Sequence, residues 1–136
     1  MLILFDENIP VKIAEGLNTI ESTNKDTILH CTITHPYIIQ KGGTSDDDWI
    51  KFAGENKAII LTFDKDFKNV KSKGSLYIQH NIGVFFCKFD KKEKMYWQIV
   101  RLFVNSFNLM KNIIVTTPRP FVYRINHHGK PERFEF

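Results

Sequence analysis

Residues 2–10, with the sequence LILFDENIP, place four apolar residues directly before two acids and an amide. An apolar run of this length, ended by polar residues, predicts a short buried strand. Asp6, Glu7 and Asn8 follow at its tip. Asp6 therefore has two interpretations: it caps or precedes the next helix, or it belongs to a site whose other members lie further along the chain.

The same order of strand and helix repeats downstream. Apolar residues spaced by four predict a first helix over residues 8–18, with Asn8 or Ile9 as its cap and Pro10 in its first turn. Ser45 or Asp46 is the predicted cap of a second helix, which has three acids in its first turn. The other predicted elements are strands at 27–34, 58–63 and 83–87, a helix near 74–80, a long helix over 94–111, and β-prone pieces at 113–116, 121–125 and 132–136, the last two forming a terminal hairpin.

This alternation predicts a mainly parallel sheet covered by helices on both faces. The predicted fold class is therefore α/β, a three-layer α/β/α sandwich with a C-terminal β-hairpin. A length of 136 residues fits one domain over 1–136, large enough for a core without disulfides. In such sheets, ligands bind outside the carboxyl ends of the strands.

Composition excludes several classes of protein. The chain is 43% hydrophobic and 25% charged, as in folded globular proteins. Cys31 and Cys87 lie far apart with no CxxC motif or Cys/His pairing, which argues against a zinc site and fits a reducing cytoplasm. No stretch approaches the roughly 20 apolar residues that cross a membrane, and the first apolar run is too short for a signal peptide. We expect a cytoplasmic protein without a membrane partner.

Charge is unevenly distributed along the chain. Residues 1–50 hold eight acids and three Lys or Arg, a net charge of −5, whereas residues 51–136 hold seven acids and sixteen Lys or Arg, a net charge of +9. An acidic cluster beside a basic remainder suits a protein that holds a cation and a polyanion together. Ordinary variation of a Lys-rich surface explains the same numbers.

Acidic residues follow three successive predicted strands or open the helices after them. If these strands are parallel and adjacent, the carboxylates meet at one edge of the sheet. Clustered carboxylates repel one another unless a divalent cation neutralises them, and hard oxygen ligands favour Mg²⁺ or Mn²⁺. Such a site supports phosphodiester hydrolysis. The residues concerned are Asp6, Asp46, Asp47, Asp48, Asp64 and Asp66, with the Thr62 hydroxyl beside them.

Each acid also has a purely structural explanation, because helix starts and turns favour Asp. Other chemistries have less support. The chain contains no GxSxG elbow, no GxxxxGK[ST] loop and no GxGxxG motif. His127 and His128 adjoin Gly129 in a predicted hairpin turn, where a solvated turn explains them better than a ligand set.

Three stretches in this order resemble a known family. LFDENIPVKIAEGL at 4–17, GTSDDDWIKFA at 43–53 and AIILTFDKDF at 58–67 resemble the PIN-like nucleases, specifically the compact group related to VapC-type toxins. GVFFCKF at 83–89 and the segment 118–136 are similar to the carboxyl-terminal part of that group. The resemblance thus spans nearly the whole chain.

The resemblance implies a Mg²⁺- or Mn²⁺-dependent ribonuclease, the toxin of a toxin–antitoxin pair. It implies an RNA substrate, an antitoxin as partner, and a homodimer as one state of assembly. The implied catalytic residues are Asp6, Asp46 and Asp64. The same three are the implied metal ligands, with Asp48 competing with Asp46 and Asp66 as a weaker fourth acid.

Further residues are candidates to assist the metal ligands or to hold the substrate. These are Glu7, Asn8 and Thr62 beside the ligands, and Arg119 and Arg124 as phosphate contacts. The two arginines would replace the basic residue that commonly precedes the later aspartate in this family, a position that is Phe63 here. Arginines beside aromatic residues also cover core edges with their stems, which is the competing interpretation.

Two other functions are compatible with these residues. A catalytically silent PIN-like module would bind RNA or a protein partner without metal-dependent cleavage. A metal-dependent phosphatase would hydrolyse small phosphate esters and leave RNA intact.

Overall fold

A computed structural model describes residues 1–39, 45–63, 67–87 and 96–136. Strands and helices alternate along most of the chain, as predicted. The elements are β1 Leu2–Phe5, α1 Val11–Thr23, β2 Thr32–Thr34, α2 Asp46–Glu55, β3 Ile59–Thr62, α3 Phe67–Ser72, α4 Gly74–Gln79, β4 Gly83–Cys87, α5 Tyr96–Thr116, β5 Phe121–Ile125 and β6 Pro131–Phe134.

The strands form one sheet in the order β2-β1-β3-β4-β5-β6. The pairings from β2 to β5 are all parallel, and β6 pairs antiparallel with β5. The α/β class, the mainly parallel sheet and the terminal hairpin are therefore confirmed. Because β1 lies between β2 and β3, the residues that follow these three strands meet at one edge, here called the carboxyl edge.

Successive side chains of each strand point to opposite faces of the sheet, and two buried apolar clusters result. In β1, Ile3 and Phe5 belong to the first cluster and Leu4 to the second. Helices α1 and α5 supply the first cluster, whereas α2, α3 and α4 supply the second. The predicted apolar stripe of α5 is buried at Ile99 and Met110 and, between them, at Phe103.

The start of α2 follows its sequence prediction. The Ser45 hydroxyl accepts a hydrogen bond from the Asp48 backbone N–H at 3.3 Å and donates one to Asp48 Oδ2 at 2.9 Å. This reciprocal arrangement satisfies a backbone N–H that the helix leaves unpaired. Trp49 and Ile50 face the second cluster, as their spacing predicts.

Helix α5 continues through residues 113–116, where the sequence predicts a β-prone piece. That prediction is wrong. Ile113 and Ile114 lie three and four residues after the buried Met110, and both pack against the first cluster. Because this spacing keeps one apolar face against the core, packing outweighs the strand preference of Ile and Val.

Strand β2 is shorter than predicted, since only Thr32–Thr34 of the predicted 27–34 pair with a neighbour. Its partner β1 begins at Leu2, which lies opposite Thr32. The preceding residues therefore have no strand beside them. The polar segment before α4 also holds a short helix, α3, that the sequence does not predict.

Helix α1 begins at Val11 and ends later than predicted, and its N-cap position is Pro10, which makes no side-chain capping bond. The backbone before it forms a turn in which the Ile9 N–H donates to the Asp6 carbonyl at 3.0 Å. Neither Asn8 nor Ile9 is the cap, because both belong to that turn.

Several predictions fall outside the described residues. They concern Gly42 and Gly43 of the predicted loop, Asp64 and Asp66 of the predicted site, and Lys94 and Met95 at the predicted start of α5. Within the described ranges, no helix has the length and apolar character needed to cross a membrane.

Candidate metal centre

Asp6 lies at the carboxyl end of β1, at the point where the chain leaves the sheet. Its backbone N–H donates to the Leu61 carbonyl of β3 at 2.9 Å, which extends the strand pairing by one residue. Its side chain is buried, with 7% exposed. Oδ1 accepts the Asn8 backbone N–H at 2.7 Å, so Asp6 closes the turn that leads to α1.

Thr62, the last residue of β3, holds the other oxygen of the same carboxylate. Its hydroxyl donates to Asp6 Oδ2 at 2.8 Å, and Thr62 is only 3% exposed. Leu4 and Ile60, two residues earlier on each strand, both belong to the second cluster, so Asp6 and Thr62 lie on the same face of the sheet. The structure therefore brings together these two predicted site residues.

Within residues 1–39, 45–63, 67–87 and 96–136, the groups that hold the Asp6 carboxylate are neutral. Among the described residues, no Lys, Arg or His forms an ion pair with it. A divalent cation would supply the positive charge that these described contacts lack. Each of its oxygens accepts one hydrogen bond from a described residue, and a carboxylate oxygen has a second lone pair that can bind a hard cation.

His35, just after β2, supports the same turn, and sequence reasoning did not single it out. It is 1% exposed, and its Nε2 lies 2.7 Å from the Ile9 carbonyl. Nδ1 accepts the Tyr37 N–H at 3.1 Å, which assigns the proton to Nε2 and makes that nitrogen the donor to Ile9. The one sequence signal for His35 was its position in a His-Pro-Tyr stretch directly after a β-prone segment.

Helix α2 carries the second group of predicted acids to the carboxyl edge. Ten residues of helix span about 15 Å, and only residues 56–58 separate its end from the start of β3. The helix therefore runs back along the sheet and begins near the carboxyl edge, on the face that holds Asp6. The side chain of Asp48 is used in the Ser45 cap, and Asp47 is exposed.

Asp46 contacts two described residues through its carboxylate. Oδ1 accepts the Trp49 indole N–H at 3.0 Å, and Oδ2 lies 3.3 Å from Lys73 Nζ. The Trp49 hydrogen bond is the main cause that lowers the pKa of Asp46, the Lys73 charge adds to it, and partial burial opposes both. The charge of Lys73 beside Oδ2 opposes the binding of a second cation there. Lys73 is a second neighbour of the site that sequence reasoning missed.

We expect Trp49→Phe to raise the pKa of Asp46 toward its ordinary value of 3.8, and by more than Lys73→Met does. A carboxyl whose pKa is lower in the folded state stabilises that state above its unfolded pKa, and this stabilisation is lost as pH falls through the folded pKa. Carboxyl ¹³C titration by NMR measures both variants. A larger effect of Lys73→Met would contradict the assignment of Trp49 as the main cause.

The described residues contain no group of three His, Cys, Asp or Glu side chains placed to hold a metal. The third acid of the predicted set, Asp64, and the weaker fourth, Asp66, lie outside those residues, two and four positions after Thr62. The donors that are described fit Mg²⁺ or Mn²⁺ in kind, since Asp6 and Asp46 offer hard carboxylate oxygens.

Arg119 lies at the opposite edge of the sheet, away from Asp6. It precedes β5, and its guanidinium donates to the Lys57 carbonyl at 2.7 Å, just before β3 begins. Strands of four or five residues separate the two edges by at least about 13 Å. The structure therefore does not bring Arg119 to the carboxyl edge. Its hydrogen bond instead connects the start of β5 to the segment between α2 and β3.

Arg124 is in β5 and pairs with Glu132 of β6, directly across the hairpin. This hydrogen bond, with a smaller contribution from Asn126, lowers the pKa of the Glu132 carboxyl. Three strand spacings, about 14 Å, separate β5, and with it Arg124, from β1.

The two residues after Asp6 lie in the same turn. Glu7 is half-buried, and Asn8 contributes its backbone N–H while its side chain is exposed.

Comparison with protein families gives one match, to the PIN like domain, over residues 1–89. Comparison with curated proteins and with solved structures gives no match. The matched range covers 89 of 136 residues and contains all the candidate aspartates from Asp6 to Asp66. The chain belongs to the PIN-like domain family.

Proposed function

We propose that this protein is a metal-dependent endoribonuclease that hydrolyses RNA phosphodiester bonds. The observation that carries the proposal is the Asp6 carboxylate, which is buried at the carboxyl edge, oriented by Thr62 and Asn8, and paired with no described cation. Membership of a family whose domains are commonly nucleases that use divalent metals supports it. The finer architecture we propose is the three-layer α/β/α sandwich of that family.

The proposed ligands of Mg²⁺ or Mn²⁺ are Asp6, Asp64 and Asp46, with Asp48 and Asp66 as further acids near them. When bound, the metal would activate water and offset charge on the phosphate. Thr62 and the Asn8 backbone N–H keep the Asp6 oxygens fixed, so no reorganisation is needed when a ligand arrives. His35 holds the Ile9 carbonyl and thereby fixes the turn that carries Asp6.

The substrate and partner assignments belong to the same proposal. Some of the Lys and Arg residues of the second half, which carries a net charge of +9, would hold the RNA backbone. We further propose that the protein acts in the cytoplasm as the toxin of a toxin–antitoxin pair related to the VapC group. An antitoxin would restrain it by covering the carboxyl edge.

The test is cleavage of a labelled single-stranded RNA by the purified protein with Mn²⁺, with Mg²⁺ and with a chelator. We expect cleavage with either metal and none with the chelator, because the carboxylates alone supply no activated water. Asp64→Asn should remove the activity, and a chromogenic phosphate ester should not be hydrolysed. Lys130→Met, which removes an exposed charge from the hairpin turn, is the matched control.

Each outcome separates the three candidate functions. RNA binding without cleavage under every metal condition would contradict the nuclease and favour the silent binding module. Hydrolysis of the phosphate ester with intact RNA would favour the phosphatase. Cleavage that persists in the chelator, or in the Asp64→Asn variant, would refute the proposed metal site.

A further inference from the structure

The carboxyl edge presents an electrostatic problem to a polyanionic substrate. Asp6 lies there beside Thr62, and the first turn of α2 adds Asp46, Asp47 and Asp48. A phosphate group that approaches so many carboxylates is repelled unless a cation stands among them. Among the described Lys and Arg residues, Lys73 is the one that forms an ion pair with any of these four aspartates.

Lys73 occupies a fixed backbone position at the junction of α3 and α4. Its N–H donates to the Val70 carbonyl at 3.2 Å, and its carbonyl accepts the Tyr77 N–H at 3.0 Å. Gly74, which follows it, is buried, and Phe136 lies against it. Since α4 leads into β4 as α2 leads into β3, this junction lies toward the carboxyl edge. The hydrogen-bonded backbone of this junction therefore places the Lys73 side chain at the acidic edge.

The ion pair between Lys73 and Asp46 is suited to exchange. The Asp46 side chain is 56% exposed, and that of Lys73 is 23% exposed. Ion pairs so accessible to water contribute little and are readily replaced. Asp46 keeps its other oxygen on the Trp49 indole, so it stays in place when Lys73 leaves. A flexible four-carbon stem then allows the ammonium group to follow a new anion.

We propose that Lys73 is a phosphate-contacting residue of this site, held on Asp46 in the free protein and transferred to a phosphate of the RNA when substrate binds. The inference rests on the proposed function for the identity of the substrate. It assigns to Lys73 the contact that the sequence suggested for Arg119 and Arg124, which lie at the opposite edge and on a distant strand. It also makes Lys73 a competitor of the metal for Asp46.

The test measures binding of a fluorescent single-stranded RNA by anisotropy, in chelator, over a range of salt concentrations. Lys73→Met should weaken binding at least fivefold and reduce the slope of log K against log salt by about 0.7, the value for one phosphate contact on a single strand. Lys73→Arg keeps the charge and should bind within threefold of the parent. Lys71→Met, which removes an exposed charge from the same segment, should change affinity less than twofold.

A second measurement does not involve RNA. Removing the ammonium group from Asp46 should increase Mn²⁺ affinity at least threefold in Lys73→Met, measured by calorimetry, and should leave it unchanged in Lys71→Met. Unchanged RNA affinity in Lys73→Met, or an equal loss in Lys71→Met, would overturn the assignment, and so would unchanged Mn²⁺ affinity in Lys73→Met. RNA binding that depends on Lys73 in a protein that never cleaves RNA would leave this inference standing and refute the nuclease.

Discussion

Asp6→Asn is expected to reduce metal-dependent RNA cleavage by at least about 100-fold, because even residues that merely orient a metal ligand are worth roughly 10- to 100-fold. The fold should survive the change. An Asn side chain at this position still accepts the Asn8 N–H through its oxygen. Its amide N–H can donate to the Thr62 hydroxyl, which then acts as acceptor where it now donates. The substitution removes charge and keeps shape.

The measurement that isolates the metal is thermal unfolding with and without Mn²⁺. A metal that binds only the folded state raises the stability of the parent as its concentration rises. Asp6→Asn should lose that rise while it unfolds in chelator at or above the parent's temperature, since the variant no longer buries a carboxylate that pairs with no described cation. An equal Mn²⁺-induced rise in parent and variant would exclude Asp6 as a ligand.

Thr62 provides a matched pair of controls for the same experiment. Thr62→Ser retains the hydroxyl on Asp6 Oδ2, whereas Thr62→Val has the same shape and lacks it. We expect Thr62→Val to cost roughly 10- to 100-fold in Mn²⁺ affinity and Thr62→Ser to cost much less. Equal losses in both variants would show that packing around Thr62, and not its hydrogen bond to the carboxylate, explains the loss of Mn²⁺ affinity.

The parts of this fold that the sequence predicts well are those with local causes. The strands at 59–62 and 83–87 contain the apolar runs Ile59–Leu61 and Val84–Cys87, and the Ser45 cap precedes three acids, so each has its explanation within a few residues. The meeting of Asp6 and Thr62 follows from the adjacency of β1 and β3, because side chains just past the ends of neighbouring parallel strands are close together. Pattern and topology suffice for these features.

Other features depend on partners far away in the chain. Lys73 reaches Asp46 and His35 reaches Ile9 through packing that no local pattern encodes. The end of α5 was mispredicted for the same reason, since contact with the core decides it. The position of Arg119, by contrast, could be predicted from the sequence. A residue that precedes a parallel strand lies at the edge of the sheet opposite the carboxyl edge, where the helices end. A cation there meets backbone carbonyl groups, as Arg119 meets that of Lys57.

Lys111→Met is expected to lower the free energy of unfolding by about 3–5 kcal/mol, the range for breaking one side of a buried ion pair. Lys111 in α5 is 1% exposed, and its Nζ lies 3.0 Å and 2.6 Å from the two carboxylate oxygens of Glu21 in α1. The same ammonium group donates to the Thr27 hydroxyl at 2.6 Å and lies 4.4 Å from the centre of the Phe107 ring. Its loss leaves a buried carboxylate without a cation.

The exposed pair between Lys12 and Glu15, on the same helix as Glu21, gives the matched control. Its N–O distance is also 3.0 Å, but the side chain of Lys12 is 82% exposed. Urea unfolding should therefore show a loss below about 1 kcal/mol for Lys12→Met. The double variant Glu21→Leu with Lys111→Met removes both buried charges and should recover most of the stability, because apolar replacements of buried pairs are often neutral or stabilising. A loss below about 1 kcal/mol in Lys111→Met as well would contradict the prediction. It would mean that water reaches the Lys111–Glu21 pair and that packing of α1 on α5 holds these helices together without it.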